Sequence, residues 1–209
     1  MIVTVFGSTG LMGKEIVKQA IFKDHHVRAY GRNVYTTIYT PSDKLETIKG
    51  TLFDDEQVFN ALKGTDVVLS ALGGSSDGSD KTRSLGIKHI ISQMKKAGIK
   101  RIIAIGGIGI LPGDHGKLLM DAEGFPVEYL PVSEEHKTVF EALRDSGLDW
   151  TMVAPPVIKD AAPTGDYIVA KDAVPEPNNY FVNSGDLALF IVNEMERNEY
   201  LDNRVGITS

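Results

Sequence analysis

Gly7-Ser8-Thr9-Gly10-Leu11-Met12-Gly13 carries the strongest chemical signal in the chain. Glycine permits a sharp turn and lets a phosphate approach the backbone with no Cβ in the way. A helix that opens on such a turn offers unpaired N–H groups and the positive end of its dipole to a pyrophosphate. Three glycines spaced Gly-x-x-Gly-x-x-Gly are by themselves only a turn, and a buried strand before and a helix after give them meaning. Both are present. Ile2-Val3-Thr4-Val5-Phe6 is a continuous apolar run of the kind found in strands buried on both faces. From Leu11 to Phe22, Met12, Ile16, Val17, Ala20 and Ile21 recur at helical spacing, and Gly13 would let that helix pack closely.

The residues expected to contact a dinucleotide follow from this frame. An NAD site usually places Asp or Glu about 20 residues on, at the end of the second strand, to hold the ribose 2′-hydroxyl. Here that end reads Ala29-Tyr30-Gly31-Arg32-Asn33, with no carboxylate. Arg32 can pair in bidentate fashion with a 2′-phosphate, so the expected cofactor is NADP(H). Ligands lie beyond the carboxyl ends of such strands. Ala71-Leu72-Gly73 is therefore expected beside the adenosine and diphosphate. Gly106-Gly107 is expected near the nicotinamide, with Pro155-Pro156-Val157-Ile158 closing over that side.

His136 is the candidate proton donor, since histidine titrates near neutrality. The competing reading is an exposed histidine beside Glu134 and Glu135 in a helix's first turn. Lys137 is a candidate ribose contact or a solvated helix charge. Asp114-His115 lack a partner at metal-ligand spacing, so no metal is expected. Tyr129 could approach a substrate, but packing is the simpler role. The absence of cysteine excludes thiolate chemistry and disulfides and leaves a reducing cytoplasm as the expected setting.

These residues need strands and helices to hold them, and the pattern supplies an alternation. Strands are expected at Ile2–Phe6, His26–Tyr30, Asp66–Leu72, Arg101–Gly106, Trp150–Ala154 and near Tyr167–Ala170. Helices are expected at Leu11–Phe22, Asp55–Leu62 with Asp54 as cap, Thr82–Ala97, Ser133–Ser146 and Asp186–Arg197 with Ser184 as cap. Gly73 to Asp80 and Leu111 to Val132 read as long loops, which in compact domains are usually functional or mobile. Strand–helix alternation predicts an α/β fold, a doubly wound and mainly parallel sheet with helices on both faces. One Rossmann domain over 1–209 is expected, with a small substrate-side portion from about 155. The 209 residues carry a net charge of −6, 42% hydrophobic residues and no basic stripe, which argues against nucleic acid as a partner. No apolar run is long enough to span a bilayer. Nothing in the sequence marks an oligomer interface.

Taken together, Gly7 to Gly13, Arg32 and Asp66 to Gly73 resemble the atypical short-chain dehydrogenase/reductase superfamily. So do His136 with Leu143-Arg144-Asp145-Ser146-Gly147-Leu148, and Pro155 to Asp160 continuing through Thr164-Gly165-Asp166-Tyr167. Asp186-Leu187 fits the final helix. Within that superfamily the chain is similar to the biliverdin-IXβ reductase/flavin reductase (NmrA-like) group. The resemblance implies NADP binding and reduction of flavins or linear tetrapyrroles. It also implies departures: the superfamily's Ser falls at Gly107 and its Tyr at Ser133, leaving only Lys137 of the usual relay, while Val157 replaces a polar ring. A serine hydroxyl is too weak an acid to stand in for a tuned phenol, so alcohol–ketone interconversion and tetrapyrrole reduction are not expected. Reduction of a flavin or quinone by NADPH needs positioning above all and can take its proton from water. That is the expected reaction, with a non-catalytic NADP(H)-binding redox sensor as the alternative. An extended-family sugar-nucleotide enzyme would need a larger C-terminal domain than follows Pro156.

Overall fold

A computed structural model describes residues 1–209. Eight strands form one sheet in the order β3-β2-β1-β4-β5-β6-β10-β8. Its members are β1 (Ile2–Phe6), β2 (His26–Gly31), β3 (Leu45–Lys49), β4 (Val67–Ser70), β5 (Arg101–Ile105), β6 (Asp149–Ala154), β8 (Ile168–Lys171) and β10 (Asn203–Thr208). Every pairing is parallel except β10 with the edge strand β8. Two short strands, β7 (Val157–Lys159) and β9 (Phe181–Asn183), pair in parallel beside it.

Side chains alternate across β1, and the helices cover both faces accordingly. Val3 and Val5 face α1 (Leu11–Phe22) and α6 (Ser184–Arg197), where Ile16, Val17, Ala20, Leu187 and Ile191 complete one core. Phe6 belongs to the other core, with Leu62 of α3 (Asp55–Leu62), Ile87, Ile90 and Met94 of α4 (Thr82–Ala97), and Val139 and Leu143 of α5 (Leu130–Arg144). The expected α/β, doubly wound sheet is therefore the observed one. No helix is long and apolar enough to cross a membrane.

The chain leaves β1 toward β2 and β3 on one side, then returns to place β4 on the other side of β1. That reversal opens a crevice beyond the carboxyl ends of β1 and β4. Asp54 caps α3 by accepting from the Gln57 N–H at 3.0 Å, and Gly98 ends α4 at φ 73°.

Several elements differ from expectation. α5 starts at Leu130, three residues early, because Pro131 occupies its first turn, where a missing N–H is no loss. The N-cap of α6 is Asn183. Ser184 instead exchanges hydrogen bonds with the Ala161 backbone. The 111–132 stretch is folded into three short 3₁₀ turns around a buried Met120. The pattern also missed α2 (Val34–Thr37), β3, β7, β9 and β10.

Candidate active site

The crevice is a cleft of about 540 Å³. One end is the glycine turn. Gly7 leaves β1 at φ 77°, and a Cβ there would lie 2.6 Å from the Ala71 carbonyl carbon. The turn closes with Gly10 N–H donating to the Gly7 carbonyl at 3.1 Å. The first helical bond of α1 runs from Lys14 N–H to the Gly10 carbonyl. The N–H groups of Leu11, Met12 and Gly13 therefore have no helical acceptor. No side chain caps this end, and its first turn has no carboxylate. Free donors, a helix dipole and no competing acid fit a diphosphate.

The expected residues divide into those that reach the cleft and those behind it. Gly7, Thr9, Gly10, Leu11, Met12, Arg32, Ala71, Leu72, Gly73, Gly106, His136 and Ile158 line it. Ser8 does not: it is fully buried, and its hydroxyl donates to the Tyr30 carbonyl at 3.0 Å, tying the turn to β2. Gly13 packs against the turn from behind. Pro155 is buried and accepts from Ile108 N–H at 2.9 Å, and Pro156 also lies off the wall. Alternation along β7 turns Ile158 inward and leaves Val157 52% exposed on the other side. Lys137 stays outside the lining, its ammonium 3.8 Å from Glu134 one turn back. Gly107 sits behind the His136 ring. Ser133 is buried where Gly109 and Phe125 meet α5, away from the cleft.

The structure adds residues that the pattern missed. Gly50, Thr51, Leu52 and Phe53 follow β3 and line the wall near Arg32. Tyr30 braces them: its hydroxyl donates to the Thr51 carbonyl at 2.7 Å, and a Cβ on Gly50 would meet its ring at 2.6 Å. Burial, with Asp54 nearby, pushes the Tyr30 phenol up to about 12. Without β3 in the reading, these residues had nothing to place them. Thr82 and Arg83 come from the first turn of α4. Arg83 donates to the carbonyls of Ser75 at 3.0 Å and Gly74 at 2.9 Å, fastening the 73–80 loop to the cleft. A cation in a helix's first turn opposes the dipole, and that was the available signal.

His136 is not the exposed histidine of the competing reading. Its ring lines the cleft and its Nδ1 is buried without a partner. Burial first, then the Arg83 charge, push its pKa down to about 4 against the pull of Glu135. That shift favours the neutral ring at pH 7 and speaks against the expected role as an imidazolium proton donor. Beside it, Glu135 is buried yet charged. Burial alone would raise its pKa, but Lys81 at 2.9 Å and the Ser84 N–H outweigh that and hold it low.

Across all these elements the lining contains two guanidinium groups and no carboxylate. A glycine turn after β1, a bare helix N-terminus and a cleft at the sheet's reversal point define a dinucleotide-binding Rossmann protein. More particularly, the chain belongs to the NAD(P)H-binding family, whose pattern matches residues 7–198. It is 28% identical over 216 aligned positions to the uncharacterized YwnB protein of Bacillus subtilis, covering all of this chain and 99% of that one. Among solved structures it is similar to a Burkholderia pseudomallei protein provisionally described as exported, at 29% identity and a TM-score of 0.86 over the whole of both chains. It is also similar to SP1627 of Streptococcus pneumoniae, provisionally named an NADH-flavin reductase. That match has 27% identity and a TM-score of 0.85, covering all of this chain and 99% of the other.

Proposed function

We propose that the protein is an NADPH-dependent reductase of a small conjugated acceptor, a flavin or a quinone. One observation carries the reading: the cleft joins a diphosphate cradle to a recess of Ile105, Gly106, Ile158 and His136, with Arg32 and Arg83 as its only charges. Membership of the NAD(P)H-binding family supports the dinucleotide, and the name of the SP1627 protein supports the acceptor class.

The backbone donors of Leu11, Met12 and Gly13 would hold the diphosphate. Arg32, exposed at the end of β2, would meet a 2′-phosphate, which selects NADPH over NADH. The bound nicotinamide supplies a hydride when reduced. Ile105 and Ile158, which line the recess, would shield the reacting faces from water. No side chain in the lining readily gives up a proton near pH 7: the Tyr30 phenol, raised to about 12, holds its proton, and His136, lowered to about 4, is the neutral imidazole rather than the imidazolium. The proton that completes reduction therefore comes from water, which suits an acceptor whose reduced form needs no strong acid.

Calorimetric titration with NADPH and NADH, followed by FMN and quinone assays at 340 nm, tests the reading. Selective NADPH binding with turnover above the protein-free rate supports it. Selective binding with no turnover of any flavin or quinone overturns it in favour of a redox sensor. No binding of either nucleotide removes its first step.

A further inference from the structure

Gly107 lies just beyond β5 at φ −151° and ψ 158°, an extended conformation open to any residue. Backbone freedom therefore does not explain a glycine there. What the glycine leaves is room, and the room is filled. A Cβ at residue 107 would meet His136 Cδ2 at 3.1 Å and Nε2 at 3.4 Å, closer than carbon atoms rest without strain. The imidazole reaches across from α5 and stands against the face from which a side chain of β5 would project. It lines the cleft beside Ile105 and Gly106.

The ring's two nitrogens differ. Nδ1 is buried and has no partner, so Nε2 is the nitrogen left to meet a ligand. Neutral imidazole can donate or accept through Nε2 according to tautomer. It therefore suits an acceptor that presents a carbonyl or a ring N–H edge.

We infer that His136 Nε2 is the polar group that positions the acceptor, delivered from α5 into the volume that a residue-107 side chain would occupy. This rests on the reductase reading and extends it. Residues 107 and 136 are coupled: one of them can place a polar atom at the end of β5, and in this chain α5 supplies it.

The test compares wild type, Gly107→Ser, His136→Ala and the double variant. Each is read by NADPH affinity, melting temperature, and KM and kcat for FMN reduction. His136→Ala is expected to leave NADPH affinity unchanged and raise the acceptor KM on the order of tenfold, the worth of about one hydrogen bond. Gly107→Ser alone is expected to lower both melting temperature and turnover, because the new side chain displaces the ring. In the double variant, the Gly107→Ser penalty on melting disappears and the acceptor KM moves back toward wild type, since the hydroxyl now supplies the polar atom. A double variant that binds NADPH normally but is no better than His136→Ala overturns the inference, as does a kinetically silent His136→Ala. If wild type binds NADPH but reduces no acceptor, the reductase reading itself fails and the inference falls with it. In that case the melting coupling between the two positions still reports whether they share one volume.

Discussion

Gly13, in the first turn of α1, rests directly on the backbone of the turn that Gly7 opens. A Cβ on Gly13 would lie 2.6 Å from Ser8 Cα and closer still to the Gly7 carbonyl oxygen. Backbone cannot yield as a side-chain tip can, so Gly13→Ala must push α1 off the turn. The expected loss is about 3 kcal/mol, read as a melting temperature lower by roughly 6–12 °C, with NADPH binding lost as well. Gly10→Ala is the control. Its nearest neighbour would be the Gly7 carbonyl oxygen at 3.5 Å, an ordinary contact. That variant should melt close to wild type, so any loss of nucleotide affinity it shows arises at the cradle itself. Equal melting of the two variants would mean that the close approach at Gly13 is not what fixes the helix.

On the proposed reading, Arg32 is the residue that would separate the two nicotinamide cofactors. Its guanidinium borders the cleft, and no carboxylate occurs in the lining to hold a ribose 2′-hydroxyl instead. Arg32→Ala is expected to weaken NADPH by about 1.5–3 kcal/mol, on the order of 10- to 100-fold, with NADH affinity nearly unchanged. Raised salt should weaken NADPH binding to wild type more than to the variant. Parallel calorimetric titrations with both nucleotides check this, and an equal loss for both would place Arg32 on the shared part of the cofactor.

How much of this was legible in the sequence depended on burial. β1, β4, β5 and β6 are covered on both faces and read as apolar runs, so the glycine turn and its sheet could be placed. β3 was not legible: Leu45-Glu46-Thr47-Ile48-Lys49 is a half-buried edge strand with two charges. With it went the Thr51–Phe53 wall. β10 is an interior strand of the sheet, but Asn203-Arg204-Val205-Gly206-Ile207-Thr208 mixes polar residues, and Arg204 is held by Asp172 and the Ile110 carbonyl. Only tertiary partners explain such a residue in a strand. His136 and Lys137 were both read as site candidates. The helix separates them by about 100° of rotation, which gives the cleft to one and solvent to the other.

Asp186 anchors the segment that carries Ile158 back toward the sheet. Its carboxylate is fully buried and accepts from Thr164 N–H at 2.7 Å, Gly165 N–H at 2.8 Å, the Thr164 hydroxyl at 2.9 Å and the Asn183 amide at 3.0 Å. Burial alone would raise its pKa, but these donors outweigh it and hold the carboxyl low. Asp186→Asn sets an NH₂ against the Asn183 NH₂, which can only donate, and forces the Thr164 hydroxyl to turn from donor to acceptor. The expected loss is about 2–4 kcal/mol, with new proteolytic sensitivity between residues 159 and 167. Urea denaturation and limited proteolysis read both effects. Unchanged stability would show that the segment is held by β7 and β9 alone.

The titration of His136 distinguishes a positioning ring from a proton donor. Its folded pKa of about 4 lies below the ordinary 6.5, because burial and Arg83 on α4 outweigh the attraction of Glu135, itself paired with Lys81. The unfolded chain therefore binds a proton at this site that the folded chain refuses. Between pH 6.5 and 4 the unfolded state holds more protons, so stability falls as pH falls through that window and levels out below it. At about 1.4 kcal/mol per pH unit, the full effect is at most about 3.5 kcal/mol. His136→Gln removes the site, so the difference in stability between wild type and variant should slope between pH 4 and 6.5 and be flat from 7 to 9. Acceptor reduction by wild type should show no break near pH 6.5 that the variant lacks. An imidazolium donor requires the opposite, activity falling above pH 6.5 in wild type alone, and that profile would restore His136 as the acid.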